Sequence, residues 1–303
     1  MALSTKIIKK RIRSIGNTRK ITKAMEMVST VKMRKAIQAV QATRPYAATA
    51  WEMLHELLAR LGEHEPVALL EQRPEVKRIA YVIITSNRGL CGGFNAQVLA
   101  AALRHAQQQT GSTKNWIVVG KRGGEFLSRS KEIIAAEFPK ADVVTGVEGI
   151  SALLKMIIAD FTAGTYDRVF VAYTDFVSTM IQRPRLRQLL PLEPTPDASL
   201  GMLGTQTEHA SDTGAAASEF LFEPGVDVVL RAFLPQVVEI QLYQALLESN
   251  ASEHSARMLT MKNASNAAAD MVDELTLAFN QARQASITRE IAEITGGKAA
   301  LEQ

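Results

Sequence analysis

Two different periodicities divide this chain. Residues 17–44 contain neither Gly nor Pro, and Ile21, Met25 and Val28 recur at i, i+4 and i+7, the spacing of one helical face. After Pro45, which suits a first turn or a kink, Ala50, Leu54, Leu57, Leu58 and Leu61 carry that face on to Gly62. At the other end, residues 236–295 again lack Gly and Pro. One continuous helix of that length would run roughly 90 Å, well beyond the roughly 50 Å expected across a compact chain of this size. Such a helix needs a covering partner. Leu247, His254, Met261, Ala268, Leu275 and Ala282 mark one seven-residue series, and Ala251, Met258, Ser265, Val272, Phe279 and Ser286 the other. The alanines and the polar members His254, Ser265 and Ser286 make this seam thin. It allows close helix approach but buries little apolar area per turn, at about 25 cal/mol per Å².

The middle of the chain has the shorter rhythm of strands. Residues 78–85 read as a buried strand, 95–109 as helix, 116–119 as strand and 123–129 as a short helix. Then 150–161 read as helix, 168–173 as strand and 179–190 as a further strand, in which Pro184 demands an edge position. Alternating strands and helices predict a mostly parallel sheet with helices on its faces. Residues 63–75 read as a connector, and 191–218 turn to Pro, Thr, Ser, Gly, Ala and Asp, as in a mobile surface loop. The expected fold is therefore α/β. A long antiparallel coiled coil of N- and C-terminal helices (1–62 and 226–303) joins a central Rossmann-like domain with a mostly parallel sheet (76–190), followed by the loop 191–218.

Charge sharpens this division. Of the 303 residues, the first 44 carry twelve Lys or Arg against the single acid Glu26, a block of +11 inside a chain whose net charge is only +4. Residues 226–303 carry −4, so the C-terminal helix is the natural mate of the basic one. The basic block also suits an outside anion: nucleic acid, an acidic lipid surface or acidic protein loops. No aromatic side chain precedes Tyr46, which weakens the nucleic-acid reading because nothing is there to stack on bases. No stretch approaches the roughly 18 apolar residues of a membrane span, and the first residues lack a secretory apolar core, so a cytosolic chain is expected.

Candidate chemistry is sparse. Cys91 is the only cysteine, which excludes an internal disulfide and a Cys-based zinc site. His55, His64, His105, His209 and His254 are scattered without ligand spacing, so no metal site is expected. The Gly-rich segment 86–95 follows a strand and precedes a helix, where backbone amides can cradle a phosphate. Its Gly89, Gly92 and Gly93 match neither GxGxxG nor a P-loop, so it reads as a structural turn with Cys91 as packing. Asn250 and Asn263 begin glycosylation-type triplets, but inside the long helix. No GxSxG appears. The chain offers neither an active site nor a cofactor site of its own.

Five stretches, in order, carry a family resemblance: NTRKITKAMEMV (17–28) with KMRK (32–35), TSNRGLCGGFN (85–95), SEHSARM (252–258) with Met261 and Lys262, and ARQASITRE (282–290). Together they resemble the gamma subunit of F-type ATP synthase, bacterial type, over nearly the whole chain. The resemblance implies a non-catalytic rotor shaft, one copy per complex, inside a hexamer of alpha and beta subunits, with its foot on the membrane c-ring beside the epsilon subunit. It implies ATP synthesis coupled to proton transport, with no cofactor held by the shaft and a peripheral location on the cytoplasmic side of the cell membrane. Turning the shaft presents a different face to each beta subunit and biases its nucleotide state.

By the same resemblance Met25 faces an acidic loop of beta near the foot, and Arg257, Gln284 and Thr288 bear on coupling. Arg283 with Gln284 meets a catch loop of beta. Read without the family, Met25 also fits a helix stripe and Arg257 a solvated face. Residues 191–218 look longer than in minimal members and hold no cysteine, so the dithiol switch of chloroplast-type relatives has no residues there. Two other classes of function compete with this reading. One is a coiled-coil scaffold that binds nucleic acid or acidic lipid through the basic helix; the other is a nucleotide enzyme built on the Gly-rich turn.

Overall fold

The computed structural model describes residues 5–60, 67–142, 146–192, 223 and 225–301. In chain order its elements are α1 (Thr5–Arg60), β1 (Arg78–Ile84), α2 (Phe94–Gln108), β2 (Thr113–Val119), α3 (Lys121–Arg129), β3 (Ile134–Phe138), α4 (Glu148–Thr162), β4 (Arg168–Phe176), β5 (Gln182–Leu190) and α5 (Val226–Leu301). Two units result: residues 29–257, which include the sheet, and residues 1–28 with 258–303.

Within residues 29–257 the five strands lie in the order β3-β2-β1-β4-β5. The first four are parallel, and β5 returns antiparallel along β4. Alternate side chains of each strand enter different cores. Ala80, Val82 and Ile84 of β1, with Ile117, Val119, Val169 and Val171, face α4, the later half of α1 and the early part of α5. Ile79, Tyr81 and Ile83, with Trp116, Val118 and Phe170, face α2 and Leu127 of α3. A sheet covered on both faces needs unbroken apolar strands, which is why residues 78–84 were legible as a run. On α1 and α5 the buried faces include Val40, Leu54 and Leu57 on one, Leu230, Leu234, Val238 and Leu242 on the other. Thr43 and Tyr46 face residues 236–244 across a cleft of about 340 Å³, whereas Lys32 and His254 both reach Asp142. The two helices therefore run antiparallel here.

Several boundaries differ from the sequence reading. α1 is unbroken through Gly16 and Pro45, and α5 runs unbroken from Val226 with Pro235 inside it. Each proline forfeits one backbone hydrogen bond, but Ala47, Ala50 and Leu54 beyond Pro45, and Leu234, Val237 and Val238 around Pro235, are buried and hold the helices. The strand expected at 179–190 starts at Gln182, after a turn closed by Ser178 N–H donating to the Ile181 carbonyl at 3.0 Å. Pro184 does sit on an edge strand. The five-residue β3 went unread, because an edge strand with alternating half-exposed positions carries little signal.

In the unit of residues 1–28 and 258–303 the outward side of α1 is the opposite of the expected one. Ile21 and Val28 are exposed, Met25 is half-buried, and Thr22 is the buried member of that turn. The heptad pattern of α5 is buried at Met261, Ser265 and Ala268. It is half-buried from Val272 to Ala282, and residues 283–295 are exposed throughout. The loop expected at 191–218 lies, from residue 193 onward, outside the described residues.

Candidate functional site

Ligands of open α/β sheets bind at the carboxyl ends of the strands, and in this chain α5 itself lies there. Ser252 Oγ donates to the Thr174 carbonyl at the end of β4 (3.1 Å), and Ser255 Oγ to the Thr179 carbonyl beyond it (2.7 Å). Glu253 meets Lys140, two residues past β3, at 2.6 Å, and the Arg257 guanidinium reaches the Arg88 carbonyl after β1 at 3.3 Å. Every residue from 244 to 255 is buried, including Glu248, Glu253 and His254. Charges so placed survive only when paired. Glu253 is held between Lys140 and Arg257, the latter at 2.8 Å. Burial alone would raise its carboxyl, but the two cations outweigh burial and leave it below the ordinary carboxylate range.

The neighbouring segment is equally engaged. Asp142 accepts from Lys32 of α1 at 2.7 Å, and this hydrogen bond, against an opposing effect of burial, holds its carboxyl low. The Asp142 carbonyl meets His254 Nε2 at 3.0 Å, and the Ala141 carbonyl accepts from Asn250 at 3.3 Å.

The Gly-rich turn is built to receive a cation rather than a phosphate. Its interior is filled by its own side chains: Asn95 Oδ1 accepts from the Ser86 amide (2.9 Å), Asn95 Nδ2 donates to Ser86 Oγ (2.7 Å), and Cys91 is buried beside them. Asn87 Nδ2 donates to the Lys140 carbonyl at 2.7 Å. What the turn offers α5 is carbonyl oxygen, from Arg88 and Gly89, which face the Arg257 guanidinium. That polarity is wrong for an anion, and the structural reading of the turn agrees with it.

The five residues expected to meet a partner do not form one cluster. Arg257 is buried and bonded within its own chain, so it is not a solvated face. Met25 is half-buried on α1, next to the Lys23–Glu26 ion pair at 3.0 Å. A groove of about 540 Å³ on the same helix is lined by Gly16, Ala24, Met27 and Val272 together with the basic Arg19, Lys20 and Lys23. Arg283, Gln284 and Thr288 are exposed on α5, the Thr288 hydroxyl donating to the Gln284 carbonyl at 3.0 Å. Ile287, Ile291 and Ile294 lie exposed along the same stretch at i, i+4 and i+7. Sequence reasoning missed Lys140, Asp142, Glu253 and His254 as a group. The one available signal was the polar run SEHSAR interrupting an apolar seam.

The sequence profile described as ATP synthase matches residues 4–301. An ATP synthase gamma chain from Chloroflexus aurantiacus is 44% identical, covering 98% of this chain and 99% of the relative. The chain belongs to the ATP synthase gamma family. A gamma chain from Roseiflexus castenholzii is 41% identical over 99% of both chains. Among solved structures, a chain of the Euglena gracilis mitochondrial ATP synthase OSCP/F1/c-ring structure superposes with a TM-score of 0.66, covering 98% of this chain and 94% of that one at 17% identity. A chain from the central stalk and c-ring of the Tetrahymena thermophila mitochondrial enzyme gives 0.59, covering 81% and 99% at 24% identity. At those identities the likeness concerns the gamma fold: terminal helices around a mostly parallel sheet. No described helix of this gamma-family chain is long and apolar enough to cross a membrane.

Proposed function

We propose that this chain is the central rotor shaft of an ATP synthase, coupling proton-driven rotation of a membrane c-ring to the conformational cycle of catalytic beta subunits. The observation that carries the reading is the end-to-end match to gamma chains, 44% identity over 98% of this chain with nothing large left over on either side. The geometry supports it. The carboxyl edge of the sheet, where an enzyme of this fold would hold its ligand, is covered by α5, which supports reading the chain as a shaft that is turned. Its outward surfaces are those of a partner-seeking helix pair: a groove on α1 lined in part by Arg19, Lys20 and Lys23, and an apolar stripe on α5.

In this role the shaft stands once in a hexamer of alpha and beta subunits, with the epsilon subunit and the c-ring at its foot. Rotation is a moving ligand, stabilising a different beta conformation at each angle. Met25, Arg283, Gln284 and Thr288 meet beta directly. Arg257 bears on coupling from within, by fixing α5 against the turn 88–89. The complex sits on the cytoplasmic side of the cell membrane, with this chain peripheral to it. The alternative of a scaffold binding nucleic acid or acidic lipid gains nothing from the relatives and structures named above.

The deciding experiment measures ATP hydrolysis by purified alpha and beta subunits with and without this chain, and by the chain alone. An inert chain that joins alpha and beta in a complex with sustained turnover is the expected result. A chain that neither joins them nor changes their activity overturns the reading.

A further inference from the structure

Three consecutive residues, Lys140, Ala141 and Asp142, touch three separate elements. Lys140 Nζ pairs with Glu253 of α5 at 2.6 Å, and both side chains are almost wholly buried. The Ala141 carbonyl accepts from Asn250 and the Asp142 carbonyl meets His254, both also of α5. The Asp142 carboxylate binds Lys32 of α1, and the Lys140 carbonyl binds Asn87 of the Gly-rich turn.

The positions involved on α5 are 250, 253 and 254, to which Arg257 adds its bonds to the carbonyls of Arg88 and Gly89. These four lie at i, i+3, i+4 and i+7, one narrow face. Turning α5 by a single residue, about 100°, withdraws all of them together. Apolar packing tolerates small rotations because it is non-directional. A buried ion pair flanked by hydrogen bonds does not, since the desolvated charges lose their partners.

We propose that the segment Lys140–Asp142 is the angular lock of the rotor, and that Lys140 is its positioning residue: it fixes the rotation of α5, and through Asp142 that of α1, against the sheet domain. The proposal rests on the rotor reading above. Torque applied to the sheet domain enters both helices in part through this segment, and without it the polar hold on α5 falls to Ser252, Ser255 and Arg257, so that α5 yields more readily under load. Lys140 is also the member whose removal the fold tolerates best. Lys140→Met leaves Glu253 paired with Arg257 on the same helix, an electroneutral pair, and a side chain of similar length beside the Phe94 ring.

The test reconstitutes the full synthase in sealed vesicles with the parent chain, Lys140→Met, Lys140→Arg or Asp142→Asn, and reads protons pumped per ATP hydrolysed. The expected result for Lys140→Met is hydrolysis within about twofold of the parent per assembled complex, with the pumping ratio down by more than about twofold, the lower end of coupling between directly interacting residues. Lys140→Arg keeps the charge and restores the ratio. Asp142→Asn, at a more exposed position, keeps the backbone bond to His254 and lowers the ratio less. A purely structural role lowers hydrolysis and pumping together, in proportion to complex assembled, and an unchanged ratio in assembled Lys140→Met overturns the lock. Should Lys140→Met not assemble, an unchanged ratio in Asp142→Asn overturns it instead. Failure of the parent chain itself to assemble or pump is a failure of the rotor reading, visible before any variant is compared.

Discussion

The Arg257 guanidinium donates a hydrogen bond to Nδ1 of His254 at 3.3 Å, a bond that only a neutral imidazole can accept. The proton therefore sits on Nε2, which donates to the Asp142 carbonyl. Burial lowers the pKa of His254 from 6.5, with Arg257 and Lys140 adding to the effect while the Asp142 carbonyl and Glu253 oppose it. Lys32 and Arg88 stand beyond Asp142, so the ring faces an excess of cations.

The unfolded chain accordingly takes up a proton that the folded chain refuses. The stability this group contributes is complete above about pH 6.5 and drains as pH falls toward the depressed value. The expected outcome is a chemical-denaturation midpoint that falls on acidification from about pH 7 to pH 5, and a flatter profile in His254→Gln, whose amide keeps a donor for the carbonyl. Equal acid sensitivity in parent and variant would remove His254 from the account.

Asp167 makes a second buried anchor, at the start of β4. Its Oδ1 accepts from Arg73 at 2.9 Å and its Oδ2 from the amides of Lys77 and Arg78, each at 2.8 Å. Arg73 also donates to the Phe161 and Tyr166 carbonyls. Burial pushes the Asp167 carboxyl up, but these donors together push it further down, to a net value below 3.8. Its contribution is present above that unfolded value and is lost as pH falls through the folded one. Asp167→Asn replaces one acceptor with a donor opposite N–H groups and is expected to cost about 1–3 kcal/mol. Urea denaturation of the variant at neutral pH checks this, and the deficit should shrink in strong acid, where the parent carboxyl is itself protonated.

The parts of this fold that were legible from sequence are those where burial forces a pattern. β1 and β4 are covered on both faces and had to be continuous apolar runs; α5 had to be helical because 60 residues without Gly or Pro leave little else. Two things were not legible. Ile21 and Val28 look like a buried stripe, yet they are exposed, and the polar Thr22 and Ser29, one position further on, are the buried residues. The lock at Lys140 was hidden for the opposite reason. Glu253, His254 and Arg257 have the composition of a solvated face, and nothing local reveals that Lys140 and the carbonyls after β1 and β3 will meet them. The exposed residues Arg283, Gln284 and Thr288, proposed above to meet beta, were singled out through family resemblance alone, since exposed helix positions carry no physical pattern of their own.

Gly120 shows how closely the turn after β2 is fitted. Its φ is +99°, which disfavours any side chain, and an added Cβ would collide with the Thr85 carbonyl oxygen. Thr85 is itself tied there, its N–H donating to the Val119 carbonyl at 2.8 Å and its Oγ1 to that of Gly120 at 3.0 Å. Gly120→Ala is expected to destabilise residues 29–257 by about 2–4 kcal/mol, combining backbone strain with displacement of β1 from β2. Denaturation followed by far-UV dichroism measures it, and a loss below about 0.5 kcal/mol would mean the turn relaxes freely.

Met25→Lys places a further cation on an already basic stretch, beside the groove lined by Arg19, Lys20 and Lys23. If that surface faces acidic loops of beta, the variant holds them more tightly at one angle, and rotation must then pay to break the extra attraction at each step. The expected effect is on protons pumped per ATP more than on assembly, and it should weaken as salt is raised, since the exposed part of the attraction is screened within about 10 Å at 0.1 M. Equal pumping per ATP in variant and parent would sink the assignment of Met25 to that contact.

Arg283 and Gln284 allow the opposite test, because their side chains are exposed in the chain by itself. Truncating exposed helix positions usually changes folding stability by no more than about 0.5 kcal/mol, whereas truncating an interface hot spot, a class in which Arg is enriched, costs about 2 kcal/mol or more of binding. Arg283→Ala with Gln284→Ala should therefore leave the denaturation midpoint of the isolated chain unchanged and lower ATP turnover of the complex with alpha and beta. The neighbouring stripe of Ile287, Ile291 and Ile294 predicts where the rest of that interface lies. Ile291→Asp should add to the loss in the complex while raising the solubility of the chain alone. Turnover indistinguishable from the parent with all three substitutions in place would show that this end of α5 turns without touching beta, and the contact would have to be sought along α1.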